Sequence, residues 1–332
     1  MPLDIGIDLG TATVQVFTGG EIVISEPSVI AMNTKTGAVV AVGSEAQTMI
    51  GRTPSHIIAT RPLENGVIAE IKSCQKMIKY FVEKSCKSRI LRPRVAICIP
   101  SEITEVERQA VVEAADAAGA KSVVTIDEPM AAAIGAGIDV LKPDGNMILD
   151  IGGGTADIAV ITLGGIANTT SLKIAGNTFD ETIVRNIKIK YNLIIGSRMA
   201  ERVKISLRSA IENNEKISVK GKNARTGLPE MIEVDPKDVC TFFEENFNII
   251  VDAIIATLDS TPPELVADIS ENGIYLTGGG ALIYGLSDLI EKRTRIKTVY
   301  PENPDKCVVI GAGKAFEYLG ELQDGLVTER KI

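Results

Sequence analysis

Two aspartates stand where an apolar strand runs into a glycine-rich turn. Residues 5–17 read IGIDLGTATVQVF, and residues 147–161 read MILDIGGGTADIAVI. Each segment is a strand ending in an acid (Asp8 or Asp150), one apolar residue, a Gly-containing turn, Thr-Ala and a returning strand. Glycine lacks the Cβ that would hold a phosphate away from backbone N–H groups. Two carboxylates beside a polyphosphate repel it unless a divalent cation lies between them, an arrangement that suits Mg2+ held largely through water. The turns are not a P-loop, because the chain has no GxxxxGK[ST]. A third glycine-rich stretch, Leu276-Thr-Gly-Gly-Gly-Ala-Leu282, follows a strand predicted at Gly273–Leu276. It either brings backbone against an adenine or its phosphates at a helix start or makes a tight strand-to-helix connection.

Other chemistries are narrowed by what the chain contains. His56 is the only histidine, so a multi-histidine metal site is excluded and any Ser-His-Asp or Cys-His machine would have to use that residue. Its setting, between GRTP and an apolar run, predicts a surface or interface residue. The five cysteines (Cys74, Cys86, Cys98, Cys240 and Cys307) show no CxxC spacing, which fits reduced thiols in a cytoplasmic protein. The balance of 35 basic against 43 acidic residues gives a net charge of −8, which argues against broad binding to nucleic acid. The N-terminal residues carry no basic segment or long apolar run of a signal peptide. No apolar run reaches the ~20 residues of a spanning helix, so any membrane contact is expected to be peripheral. Mean hydropathy is +0.17, enough apolar surface to reserve some for subunit or membrane contacts.

The elements that must position the turns alternate along the 332 residues, a length that suits about two average domains. Strands are predicted at Ile22–Ile24, Ser28–Met32, Val39–Val42, Arg94–Ile99, Val123–Ile126, Met147–Ile151 and Asp157–Leu163. A helix over Glu105–Ala118 is capped by Thr104, with Glu107 completing a capping box and Gly119 ending it. Pro129 opens the next helix. Further helices are predicted at Phe179–Tyr191, Ser197–Glu212 and, as one long element, Pro236–Leu258. A hairpin joins Lys216–Gly221 to Pro229–Val234. The class is α/β. A second echo pairs AIGAG at Ala133–Gly137 with VIGAG at Val309–Gly313. Two echoes in the same order predict a duplicated domain closing around one ligand, against the alternative of chance similarity between glycine-rich turns.

Five segments resemble, in order, the nucleotide fold shared by actin, Hsp70 and sugar kinases. They are Ile5–Phe17, Asp127–Gly137, Met147–Leu163, Ile274–Gly285 and Val308–Leu319. Longer strings narrow the resemblance to the MreB family of bacterial actin homologues: SEPSVIA (25–31), RPLENGVIA (61–69), PRVAICIPSEITEVER (93–108), DEPMAAAIGAG (127–137), DIGGGTADIAVI (150–161) and GIYLTGGGAL (273–282). The resemblance covers essentially the whole chain. It implies an actin-like, ribonuclease H-like duplicated fold. One lobe would span 1–137 plus 312–332, with an inserted subdomain near 30–63. The other would span 138–311, with an inserted subdomain near 179–240.

The resemblance also implies residue roles. Asp8 and Asp150 would hold hydrated Mg2+. Gly10, Thr11, Ala12 and Thr13 in one turn and Gly152, Gly153, Gly154 and Thr155 in the other would cradle ATP phosphates. Gly176, Glu201, Lys204, Gly278, Gly279, Gly280 and Ala281 would complete the nucleotide site. Glu128, assisted by Thr155 and with Asp150, would orient the attacking water. On residue type alone, Glu128 reads better as a helix N-terminal acid favoured by the macrodipole, and the resemblance reverses that preference. The chain departs from the family pattern at Thr13 and Val14 in the first turn. It departs again at Ala156 and Asp157, where the family has Thr and Glu, and this leaves the hydrolysis rate open.

Residues 84–94 read KSCKSRILRPR, with Ile90 and Leu91 flanked by Lys84, Lys87, Arg89, Arg92 and Arg94. The stretch resembles the family's membrane-insertion loop, and an apolar pair among cations suits an anionic bilayer. Read without the resemblance, it is a helix-to-strand connection. Two apolar residues bind weakly, so attachment would depend on many subunits acting together. The implied protein is a filament of paired protofilaments, with Asp180 and its helix as lateral-contact elements, peripheral to the inner face of the plasma membrane. The implied role is guiding cell-wall elongation and rod shape. Implied partners are further copies of itself, RodZ, MreC, MreD and wall-synthesis enzymes, with no nucleic acid. The alternatives are a non-hydrolysing scaffold and a small-molecule kinase of the same superfamily. An Hsp70-type chaperone is disfavoured by the short tail after the last matched segment.

Overall fold

In the computed structural model, residues 4–64, 66–86, 92–100, 103–322 and, as backbone, 327–331 are described. The strand Asp4–Leu9 buries Ile5, Ile7 and Leu9. It pairs antiparallel with Thr13–Thr18, which pairs antiparallel with Glu21–Pro27. Its other edge pairs in parallel with Arg94–Ile99, which pairs in parallel with Ser122–Asp127. Val327–Lys331 adds an antiparallel edge strand beyond Ser122–Asp127.

The second sheet repeats this plan. Asn146–Ile151 is antiparallel to Ala156–Thr162, which is antiparallel to Gly165–Leu172. Asn146–Ile151 is parallel to Ile274–Thr277, which is parallel to Thr298–Val299. Strand order and direction match the first sheet, so the echo in the sequence reflects a duplicated topology rather than a chance likeness of turns.

Two short helices of small residues, Glu128–Gly135 and Cys307–Lys314, lie between the sheets. Met130–Ile134, Val308, Ala312 and Ala315 share one core with Ala96 and Val124 of the first sheet and with Ile148 and Ala159 of the second. The second echo falls on these helices. A Cβ on Gly135 would collide with the carbonyl of Cys307, and one on Gly311 with the carbonyl of Ala131. The repeated glycines are therefore the points where each helix backbone meets the other. No side chain fits between them.

Two insertions decorate the sheets. Ile30–Asn33, Val39–Val42 and Ile57–Thr60 form a three-stranded sheet with the helix Ser44–Met49, around a small core of Val29, Ala31, Ala41 and Ala46. Leu193–Ile194, Ile217–Asn223 and Pro229–Val234 form another, against the helices Gly176–Tyr191 and Ser197–Glu212. This second unit has no separate core: Phe179, Leu207 and Val234 belong to the same cluster as Leu149 and Leu276.

The capping box at Thr104 is present, with Thr104 Oγ1 accepting from the Glu107 N–H at 3.3 Å and Glu107 Oε2 accepting from the Thr104 N–H at 3.0 Å. The hairpin at 217–234 forms as the pattern predicts. The long helix over 236–258 does not. It divides into Pro236–Phe242 and Glu244–Asp259 at Phe243, whose buried ring packs against Phe179 and Phe247. No helix-breaking residue marks this site; tertiary packing of three aromatic rings sets it. The strand predicted at 157–163 ends at Thr162, and Leu163 enters the turn with φ 49°. The helix Ile71–Ser85 is absent from the elements read above, although Cys74, Met77, Ile78, Phe81 and Val82 bury one face at helical spacing.

Candidate functional site

Both glycine-rich turns leave the ends of their sheets toward the same space, a cleft of about 380 Å³ between the two halves. The turns touch: a Cβ on Gly153 would stand 2.6 Å from the Cβ of Ala12. Only glycine allows this approach, and it is what brings Asp8 and Asp150 to one site. A Cβ on Gly10 would meet the Thr13 carbonyl at 2.7 Å, so the tightness of the first turn requires glycine as well.

The second turn is braced by the helix Gly176–Tyr191. The Gly176 N–H donates to the Gly152 carbonyl at 3.1 Å and the Asn177 N–H to the Gly153 carbonyl at 2.8 Å. The positive end of that helix thus lies beside the turn, where it favours an anion. The third stretch closes the wall. Gly278 has φ 81° and sits against the backbone of Ile151, and Gly280 lies over Gly152. Gly279 lines the cleft, and a Cβ there would meet no protein atom within 4 Å.

Of the residues named from the sequence, Asp8, Gly10–Thr13, Glu128, Asp150, Gly152–Thr155, Gly176, Glu201, Lys204 and Gly278–Gly280 all line the cleft. Ala281 does not. It is fully buried behind Gly280, and its carbonyl accepts from Tyr300 Oη at 3.1 Å. Lys204 is engaged within the protein, donating to the Gly176 carbonyl at 2.8 Å and pairing with Asp180 at 2.9 Å. Asp180 thus lines the cleft, paired with Lys204. Ile90 and Leu91, with Lys87 and Arg89, lie outside the described residues. Of the flanking cations, Lys84 pairs with Glu26, Arg94 pairs with Asp4, and Arg92 donates to the Ala120 carbonyl at 2.8 Å. His56 is exposed, and all five cysteines are free.

The cleft floor is acidic. Burial, reinforced by Asp150, pushes the Asp8 carboxyl up to about 7. Burial likewise raises Asp150 to about 7, against the opposing hydrogen bond from Thr277 Oγ1 at 2.7 Å. Glu128 lies well above the usual carboxylate range, through burial and then the charges of Asp157, Asp8 and Asp150. Such a set repels a bare phosphate and welcomes positive charge. Among the described residues no cluster of three or more His, Cys, Asp or Glu side chains can grip a metal directly. The donor set fits a cation reached through water.

Sequence reasoning missed Arg61 and Gly66, and named Asp157 only as a departure from the family pattern. Asp157 is 3% exposed and opposes Asp150 across the hairpin. Arg61 Nη1 donates to the Ala12 carbonyl at 3.1 Å. The Gly66 N–H donates to Thr11 Oγ1 at 3.2 Å, and a Cβ on Gly66 would stand 2.6 Å from Cγ2 of Thr155. The Arg61–Gly66 segment therefore rests on both turns at once. The position of Asp157 was readable from strand register; the docking of Arg61 and Gly66 was not, because their partners lie 49 or more residues away in the chain.

Comparison with known proteins agrees with this geometry. The family model described as MreB/Mbl protein matches residues 2–324. The chain is 45% identical over 323 residues to the cell shape-determining protein Mbl of Bacillus subtilis, covering 96% of this chain and 97% of that one. It is 42% identical over 325 residues to the cell shape-determining protein MreB of Escherichia coli, covering 95% and 94%. The crystal structure of MreB 5 of Spiroplasma citri bound to AMPPNP superposes with a TM-score of 0.87 at 36% identity, covering 96% of this chain and 97% of that one. The duplicated sheets are thus an actin-like fold, and the chain belongs to the MreB/Mbl family of cell shape-determining proteins.

Proposed function

We propose that the cleft binds Mg-ATP and hydrolyses it, and that the nucleotide governs assembly of the chain into membrane-associated filaments that guide cell-wall elongation and rod shape. The observation that carries this reading is the contact of Gly153 with Ala12, which sets two phosphate-cradling turns and their two aspartates around one space. The AMPPNP held by the Spiroplasma citri relative supports the ligand class. The lobes in this reading are 1–137 plus 312–332 and 138–311, meeting at the crossed helices.

Backbone N–H groups of Gly10–Thr13 and Gly152–Thr155 bind phosphate oxygens, with the N-terminus of Gly176–Tyr191 adding its dipole. Asp8 and Asp150 would hold a hydrated divalent cation through its waters, and the cation would supply positive charge to offset that of the phosphates. Gly278–Gly280 and the Glu201/Lys204 face of the helix Ser197–Glu212 hold the nucleoside end. Glu128 aligns the attacking water and takes its proton. Burial first, and then the charges of Asp157, Asp8 and Asp150, hold its carboxyl above the usual range, and a cation at the two aspartates would ease part of that penalty. ATP favours assembly, and hydrolysis weakens it.

A non-hydrolysing scaffold is the second reading. The departures at Thr13, Ala156 and Asp157 favour it: burial and then the Asp157 charge hold Glu128 in its protonated form, which cannot accept the water's proton. Measuring ATP binding and phosphate release for wild type and Glu128→Ala separates the two. We expect binding retained within about threefold and phosphate release reduced about 100-fold, the usual size of a lost general base. Equal release by both proteins would make the nucleotide a structural ligand.

A further inference from the structure

Residues directly opposed on antiparallel strands point to the same face of a sheet. In the second sheet this places Asp150, Asp157 and Ser171 in one row. In the first sheet it places Asp8, Gln15 and Ser25 in one row. Because the two sheets share strand order and direction, Gln15 occupies in the first half the position that Asp157 occupies in the second.

Gln15 is an unusual residue for that place. It is 7% exposed and lines the cleft. Its neighbours in the strand, Val14 and Val16, are fully buried in apolar core on the opposite face. Its Nε2 donates to Ser25 Oγ at 3.5 Å, a long contact. Its Oε1 is buried and meets no donor in the protein. A buried carbonyl oxygen without a donor is costly, and an apolar side chain would fill the same volume without that cost. The oxygen is an acceptor only, so the ligand that satisfies it must offer a hydrogen. A phosphate oxygen cannot; a water polarised by a cation can.

We propose that Gln15 is a positioning residue for the hydrated cation, its Oε1 accepting a hydrogen from a metal-bound water as the neutral counterpart of Asp157. The assignment rests on the reading of the cleft as a Mg-nucleotide site. It gives the cation's water shell a neutral acceptor from the first half of the molecule beside Asp8 and Asp150. The first half contributes its acceptor without adding a further negative charge to an already acidic floor.

The test is equilibrium binding of a fluorescent ATP analogue, measured in Mg2+ and again in EDTA, for wild type, Gln15→Leu and Gln15→Glu. Wild type should bind more tightly in Mg2+. Gln15→Leu should lose about tenfold in the Mg2+ arm, the lower end of what removing an outer-shell partner costs a metal site. Its EDTA arm should change less than twofold. Gln15→Glu keeps an acceptor and should restore the Mg2+ enhancement. Equal Mg2+ enhancement in wild type and Gln15→Leu would overturn the assignment, as would a loss by Gln15→Leu of the same size in both arms. Should Gln15→Leu not fold, judged by thermal denaturation without ligand, Gln15→Met supplies the apolar comparison. Wild-type protein that binds the analogue equally in Mg2+ and EDTA would instead remove the reading of the cleft itself.

Discussion

At the scale of single residues, the site is a balance of buried acids. Burial holds Asp8 and Asp150 at about 7 in the folded protein, against an ordinary carboxyl value of 3.8. Between about pH 4 and 7 the unfolded chain therefore releases protons that the folded chain keeps. Folding stability falls as pH rises through that window and levels off above it. Each group contributes up to about 4 kcal/mol to the decline. The acids with lowered values, Glu107, Asp238 and Glu291, act only below their ordinary range and leave this window alone. Thermal denaturation without ligand should thus give a higher Tm at pH 5.5 than at pH 8, and Mg-ATP should flatten the difference. A Tm that rises over the same interval would contradict the acidic floor. Asp8 and Asp150 were legible in the sequence because a strand-ending acid before a glycine-rich turn is a local pattern. Gln15 was not singled out, and Asp157 was named only as a departure from the family pattern, because their place depends on which residue of a neighbouring strand they oppose.

At the scale of elements, the crossed helices decide whether the two halves meet correctly. Gly311 presses on the carbonyl of Ala131, so even a methyl group there must push the helices apart. Gly311→Ala should destabilise the protein by about 3 kcal/mol, the upper range of overpacking effects. Chemical denaturation measures it, and a change below about 0.5 kcal/mol would mean that the crossing can shift freely. Thr104→Ala is the contrasting case. It removes a solvent-exposed cap worth about 1 kcal/mol and should leave ATP binding unchanged; altered binding would tie that helix to the cleft. The repeated AIGAG and VIGAG strings made the crossing legible as a repeat, though not as a contact. The division of the helix at Phe243 was invisible because its cause is three rings brought together by the fold. The helix Ile71–Ser85 was legible from its apolar spacing alone. Val327–Lys331 was not, because an edge strand pairs with residues two hundred positions away.

At the scale of the whole molecule, a net charge of −8 faces an anionic bilayer in the proposed role. Lys84 and Arg94 are paired with Glu26 and Asp4, so in the proposed role the attraction would come from Arg92 and from Lys87 and Arg89 beside Ile90 and Leu91. At about 1 kcal/mol per basic residue this is weak for one subunit and substantial for a polymer. Pelleting with Mg-ATP should exceed pelleting with Mg-ADP and rise further with anionic liposomes. Lys87→Ala/Arg89→Ala should greatly reduce the liposome increment and leave the rest. A double variant that keeps the increment would assign attachment to another surface. The matched sheets have one more consequence. A cleft between two equivalent halves offers a bound molecule two directions of entry, related by the rotation that exchanges the halves. The chain removes that ambiguity by furnishing only one side with Gly278–Gly280, Glu201 and Lys204. In the proposed filament, a nucleotide held this way would have a single heading in every subunit, and a row of subunits would carry all its ligands pointing the same way.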